Sequence, residues 1–172
     1  MLTPTLARHF RMTTASGLLL LLAAIWAQSA SGEDFFDGLT AMKASRFEEA
    51  RQIFLPLAQG GNADAEELLG VMYAMGLGVD RDDERAFEWY LRASLKGHPG
   101  AQSGIGWYYE VGRGIPAPDL VRAYTWYVLS AIGGDPDAAI SMNEVVKKMT
   151  PEQIAKADIL ISDYKDHLYP ED

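Results

Sequence analysis

Apolar residues recur with helical spacing along most of the chain. Ala65, Leu69, Met72 and Tyr73 fall at i, i+4, i+7 and i+8, which is one face of a helix. Gly76 and Gly78 follow and predict its end and a turn. Ala86, Trp89, Tyr90 and Ala93 form the apolar face of a second helix. Asp82 and Asp119 stand where a side chain can accept from the free N–H groups of a helix start. Ser45 with Glu48 has capping-box spacing, and Thr150-Pro151-Glu152-Gln153 combines an N-cap, a first-turn proline and a reciprocating Gln. Sustained strand alternation is absent from the sequence. The pattern predicts an all-α chain of about eight helices in four antiparallel pairs.

The same pattern repeats. At an offset of 36, Ala65, Leu69, Gly70, Tyr73, Gly76 and Gly78 fall on Ala101, Ile105, Gly106, Tyr109, Gly112 and Gly114. One extra loop residue makes the offset 37, and Asp82, Arg85, Ala86, Phe87, Trp89, Tyr90 and Gly97 then fall on Asp119, Arg122, Ala123, Tyr124, Trp126, Tyr127 and Gly134. A degenerate copy lies upstream, where Ala50, Ile53, Phe54 and Gly61 match Ala86, Trp89, Tyr90 and Gly97. Its first helix, near Phe35 to Lys43, joins the second through a shorter turn. Downstream, Pro136-Asp137-Ala138 restarts the unit before it diverges. A period of this length signals stacked units, each unable to bury its apolar face alone, with atypical units at the ends. Gly70 and Gly106 sit mid-helix, where glycine costs about 1 kcal/mol relative to alanine. Their recurrence predicts a neighbouring helix packed too closely for a side chain.

These residues resemble the Sel1-like repeat family, relatives of the tetratricopeptide repeats. The family pattern, Ala-x3-Leu-Gly-x2-Tyr-x2-Gly-x-Gly-Val-x2-Asp-x3-Ala-x2-Trp-Tyr-x2-Ala-x3-Gly, is met at nearly every fixed position by Ala65 to Gly97. Ala101 to Gly134 meets it with one inserted loop residue and Ser130 in place of an alanine. Thr150-Pro151-Glu152-Gln153-Ile154-Ala155 looks like a segment that closes such arrays. The resemblance implies a right-handed α/α superhelix (a solenoid) of about four antiparallel helix pairs. It divides the chain into a degenerate N-terminal repeat (33–62), two repeats (63–98 and 99–135) and C-terminal capping helices (136–168). It implies little chemistry, because the pattern is almost entirely structural.

The segment before residue 32 reads differently. Arg8, His9 and Arg11 precede an apolar run from Gly17 to Ala27, and small residues follow from Ser29 to Gly32. Basic, apolar, then small is the order of a secretory signal peptide, and the run falls short of the roughly 20 residues a spanning helix needs. Residues 1–31 are therefore expected to be a cleaved leader, with export to a bacterial periplasm or beyond. The segment has no cysteine to carry a lipid. The chain as a whole has none, which excludes disulfides and thiolate metal sites.

All 24 acidic residues lie after residue 32, against 13 of the 15 basic ones, so that part carries a net charge of −11. This argues against nucleic acid and an anionic membrane surface, and favours solubility or a basic partner.

Candidate chemistry is sparse. Trp89, Tyr90, Trp126 and Tyr127 read as repeat core rather than as an aromatic cage. Asp80, Arg81, Asp82, Asp83 and Glu84 lack calcium-loop spacing and read as a solvated loop. His98 and His167 stand alone and read as exposed or loop residues. Ser162-Asp163-Tyr164-Lys165 matches Ser-x-x-Lys, but its companion motifs are absent. The β-lactam link of cysteine-rich family members does not carry over. No cofactor, metal or catalytic residue is expected, and a cell-wall or β-lactam hydrolase is the alternative that the missing motifs disfavour. The expected function is a non-catalytic scaffold or adaptor, with a regulatory role left open, that binds a protein or peptide partner in the envelope. In arrays that resemble this one, the first helix of each pair lines the concave side. Variable positions there are Asp64, Glu67, Val71, Ala74 and Met75, with counterparts Gly100, Ser103, Trp107, Glu110 and Val111. The expected partner-binding set is Asp64, Glu67, Val71, Ser103, Trp107 and Glu110. Trp107 stands out, because its counterpart is only Val71 and packing does not demand an indole.

Overall fold

The computed structural model describes residues 32–170. The expected leader lies outside these residues. Among the described residues all regular structure is helical: α1 (32–43), α2 (Phe47–Gln59), α3 (Ala63–Met75), α4 (Asp83–Ser94), α5 (Pro99–Val111), α6 (Leu120–Ile132), α7 (Ala138–Val146) and α8 (Pro151–Leu168). Consecutive helices pack on one another from α2 to α7, α3 also touches α5, and α8 packs on α6. The result is an α/α solenoid in which α1, α3, α5 and α7 are the first helices of their pairs.

The helix boundaries follow from local chemistry. Asn62, Asp82, His98 and Asp119 each accept from the backbone N–H three residues on, at 2.8, 3.0, 3.1 and 3.0 Å. Each satisfies one donor that a helix start leaves free. Thr150 and Gln153 form the reciprocal box at the start of α8. Gly76 and Gly112 end α3 and α5 in the left-handed conformation, with φ of 71° and 72°, and each donates its N–H back into the last turn. The Ser45–Glu48 box does not form. Ser45 lies in the turn with φ of 58°, Arg46 takes the N-cap position without a side-chain bond, and Glu48 pairs with Arg51 and Gln52. The tight turn moves the helix start one residue past Ser45, so Glu48 is no longer three residues from the cap.

Small residues let the helices close up. Ala50, Ala65, Ala86, Ala101, Ala123 and Ala138 are all fully buried. A Cβ at Gly70 would lie 3.0 Å from the Tyr90 ring, and one at Gly106 would lie 2.9 Å from the Tyr127 ring. The mid-helix glycines therefore admit an aromatic ring from the second helix of the same unit. Tyr90, Trp126 and Tyr127 are core, as their period requires. Trp89 is not: it is half-buried at the edge of the first core cluster, with the Arg92 guanidinium 4.6 Å from its ring centroid. Trp126 differs because α8 covers it, with Tyr164 at 4.9 Å.

A buried polar position also repeats. Glu66 is 0% exposed and accepts from Arg92 Nε at 3.0 Å and Lys96 Nζ at 2.7 Å. Lys96 donates further to the Gly61 carbonyl at 2.8 Å, which ties the α2–α3 turn to the end of α4. One unit later Gln102 occupies the Glu66 position, and Leu129 and Gly133 replace Arg92 and Lys96. The Tyr169 hydroxyl takes up the space from 67 residues away, donating to Gln102 Oε1 at 2.9 Å, with the Gly97 carbonyl at 3.5 Å. A Cβ at Gly133 would stand 2.7 Å from that hydroxyl. The end of α8 is thus latched onto the array by one side chain standing in for a repeat lysine.

A candidate protein-docking face on the first helices

The face is built by α3 and α5, whose first turns are fixed by the Asn62 and His98 caps. Asp64 is exposed, with Oδ1 3.2 Å from His98 Nε2. His98 is therefore a half-buried helix cap bridged to α3 rather than a free loop histidine. Its Nδ1 accepts the Ala101 N–H, which leaves Nε2 as the donor toward Asp64. Glu67 is half-buried, with Oε1 3.8 Å from where a Gly100 Cβ would stand. Burial pushes its carboxyl above the usual carboxylate range; nearby His98 offsets part of that, and Asp64 adds to it.

Val71 is half-buried against the central core cluster, so it walls the face more than it projects from it. Trp107, at the same repeat position on α5, is 40% exposed. Its ring stands edge-on to Tyr108 at 5.1 Å, with the Arg113 guanidinium 5.9 Å from its centroid. Met75 and Val111, which also share a repeat position, are exposed on the same two helices. Ser103 lies near Asp135 in the α6–α7 turn; burial would raise that carboxyl, but the Asp137 N–H, Ser130 and Ser103 hold it low.

Glu110 differs from its expected role. Its Oε2 accepts the Tyr127 hydroxyl at 3.1 Å and its Oε1 accepts Lys148 Nζ at 2.8 Å. Both oxygens are engaged between α5, α6 and the loop before α8, so Glu110 is a structural acid. The reason is the neighbouring unit, whose Lys148 a local reading cannot place.

The other acids are similarly occupied. Asp82 caps α4, and Asp83 takes the Tyr108 hydroxyl at 3.3 Å, with Arg81 and Arg113 at 3.2 and 3.4 Å. Ser162 is exposed on α8, and Tyr164 between it and Lys165 packs on Trp126. Sequence reasoning missed Glu66 and the His98 cap. The available signal for Glu66 was that it and Gln102 share a polar repeat position directly beside a buried alanine.

The molecule is thus a helical-repeat scaffold that presents an aromatic and acidic face on its first helices. Two copies of the Sel1 repeat match at residues 63–98 and 99–135. A Sel1 repeat protein from Oxalobacter formigenes superposes with a TM-score of 0.61 at 32% identity, covering 73% of this chain and 97% of that one. The chain belongs to the Sel1 repeat family. A protective antigen of uropathogenic Escherichia coli strains displaying an SLR fold shares the fold, with a TM-score of 0.78 at 24% identity over 84% of this chain and 32% of that one. Among curated proteins, the ERAD-associated E3 ubiquitin-protein ligase component HRD3A of Arabidopsis thaliana is 37% identical over 82 residues, or 48% of this chain. The chitin synthase regulator SKT5 of Saccharomyces cerevisiae is 34% identical over 82 residues, or 45% of this chain. The chain spans 12% of the length of each of these two. Sel1 repeats of this kind are protein-interaction scaffolds.

Proposed function

We propose that this chain is an exported, non-catalytic adaptor of the bacterial envelope that binds a protein or peptide partner on the face formed by α3 and α5. The observation that carries the reading is Trp107, a large ring left open to solvent where the preceding repeat needs only Val71. Rigid aromatic side chains beside charged rims are the usual anchors of protein interfaces. The basic, apolar, small order of residues 8–32 supports export, with the mature chain starting between Gln28 and Glu33. The commitment of Glu66, Asp83 and Glu110 to structural bonds supports a non-catalytic role.

The test is photo-crosslinking in intact cells, with benzoylphenylalanine placed at Met75 or Val111 and, as a control, at Ile159 on α8. Adducts should form from the first two sites and disappear in Trp107→Ala, which should keep the wild-type far-ultraviolet spectrum. Adducts from Ile159 alone would reject the face. N-terminal sequencing of the same material should find the start between Gln28 and Glu33; a protein that keeps Met1 on a membrane would reject export.

A further inference from the structure

The two repeats treat the same tyrosine differently. Tyr127 lies against Gly106, and its hydroxyl donates to Glu110, with Lys148 pairing the far oxygen of Glu110. One unit earlier Tyr90 lies against Gly70 in the same way. Ala74, Gly104 and Val111 stand at the positions of Glu110, Ser141 and Lys148. The Glu110–Lys148 pair that caps the second tyrosine is therefore replaced by side chains that cannot hydrogen-bond, and Ser141 by a glycine. Tyr90 is only 8% exposed, and among the described residues its hydroxyl has no hydrogen-bond partner. No fully enclosed side-chain polar atom among those residues is unpartnered, so this oxygen keeps a small exposure to solvent. A largely desolvated hydroxyl that lacks a protein partner costs stability.

The surroundings of this hydroxyl are charged. Gly104 and Gly100 lie one turn apart on α5. A Cβ at Gly104 would be 2.9 Å from the Tyr90 ring, and one at Gly100 would be 3.8 Å from Glu67 Oε1. Tyr90 and Glu67 thus face the same bare side of α5. Glu67 is half-buried and makes no ion pair among the described residues, whereas Asp64 beside it is already bridged to His98. The Tyr90 hydroxyl is held protonated by burial and by the Glu67 charge, and its oxygen remains free to accept.

We propose that the notch between α3 and α5, bounded by Tyr90, Glu67 and the glycine face of α5, receives a lysine or arginine side chain from the partner. Glu67 and the Tyr90 oxygen would accept from the cation, at the place where Glu110 and Lys148 pair one unit later. An apolar neighbour in the partner would lie on Trp107 and Val71. The strongly acidic balance of the chain complements such a segment. This assignment rests on the docking face proposed above and specifies what that face reads.

The test uses a phage-displayed random peptide library selected against the full chain, with recovered peptides resynthesised for fluorescence polarisation. Recovered peptides should share a Lys or Arg beside an apolar residue. Glu67→Gln should weaken them about tenfold, equivalent to about 1.4 kcal/mol, and Tyr90→Phe about threefold, with both variants keeping the wild-type far-ultraviolet spectrum. Ala74→Glu with Val111→Lys, which rebuilds the Glu110–Lys148 pair in the first unit, should abolish binding. If that double variant does not fold, the response to Glu67→Gln decides the matter. Peptides that depend on Trp107 but carry no basic residue and ignore Glu67→Gln would overturn the notch and leave the face standing. Failure to recover any peptide weakened by Trp107→Ala would overturn both.

Discussion

Removing one hydroxyl at the end of the chain tests how the solenoid is closed. In Tyr169→Phe the ring stays and the bond to Gln102 Oε1 is lost. Gln102 is fully buried, so its carbonyl oxygen is left without a donor. An orphaned buried acceptor costs about 1–3 kcal/mol. Tyr169 is only half-buried, so water reaches one side of the site, and a loss near the low end, about 1–1.5 kcal/mol, is expected. For a fold of this size that is a fall of about 3–6 °C in Tm. The partner variant Gln102→Leu also removes the donor to the Ser94 carbonyl, but that oxygen keeps the Gly97 N–H at 3.0 Å. The double variant should therefore cost clearly less than the sum of the two single ones, because each then removes a group the other no longer needs. Thermal melts followed at 222 nm give all four corners of the cycle. A Tyr169→Phe melt within a degree of the wild type, or an additive cycle, would refute the latch.

Trp126→Ala should destabilise by about 3–5 kcal/mol, as expected for a buried aromatic truncation, whereas Trp89→Ala should cost about half as much because its ring is partly solvated; urea titration of the two decides this, and equal losses would reject the distinction. Glu67 gives a pH signature. Its folded carboxyl is raised by burial, so the stability tied to its protonated form is present below its unfolded value and is lost as pH rises through the folded one. Glu67→Gln should therefore melt above the wild type at pH 7 and with it at pH 4, and the reverse order would reject the burial argument.

Much of the fold was legible because its determinants are local or periodic. Ala65, Leu69 and Met72 state a helical face within eight residues, and Gly76 and Asp82 mark its end and the next start. The expected close approaches at Gly70 and Gly106 hold for the same reason, since a costly residue recurring at one position has a packing cause. Ser45 failed because the helix starts one residue later than the box assumes, and a single residue in the left-handed region shifts that start. Trp89 failed because equal repeat positions do not have equal neighbours: α8 covers Trp126, while a guanidinium lies over Trp89.

The candidate site was legible only in outline, and the physical reason lies in which residues repeat. Fixed positions carry packing and can be read from one unit. A site is made where units depart from one another, and each departure takes its meaning from a distant chain segment. Glu110 and Ala74 differ in sequence at a glance, but that Glu110 is a structural acid depends on Lys148, 38 residues away. Gly133 looks like a weakened Lys96 until Tyr169 is seen in the space it leaves. By the same comparison, Ala74 and Val111 leave out of the first unit the Glu110–Lys148 pair that caps the second. The departure leaves a hydroxyl without a protein partner and a half-buried carboxylate against one face of α5, and both are partly desolvated in the isolated chain. A packing role would have been served by filling the notch, as the second unit fills its own, so the unfilled one is where a partner's side chain has the most to gain.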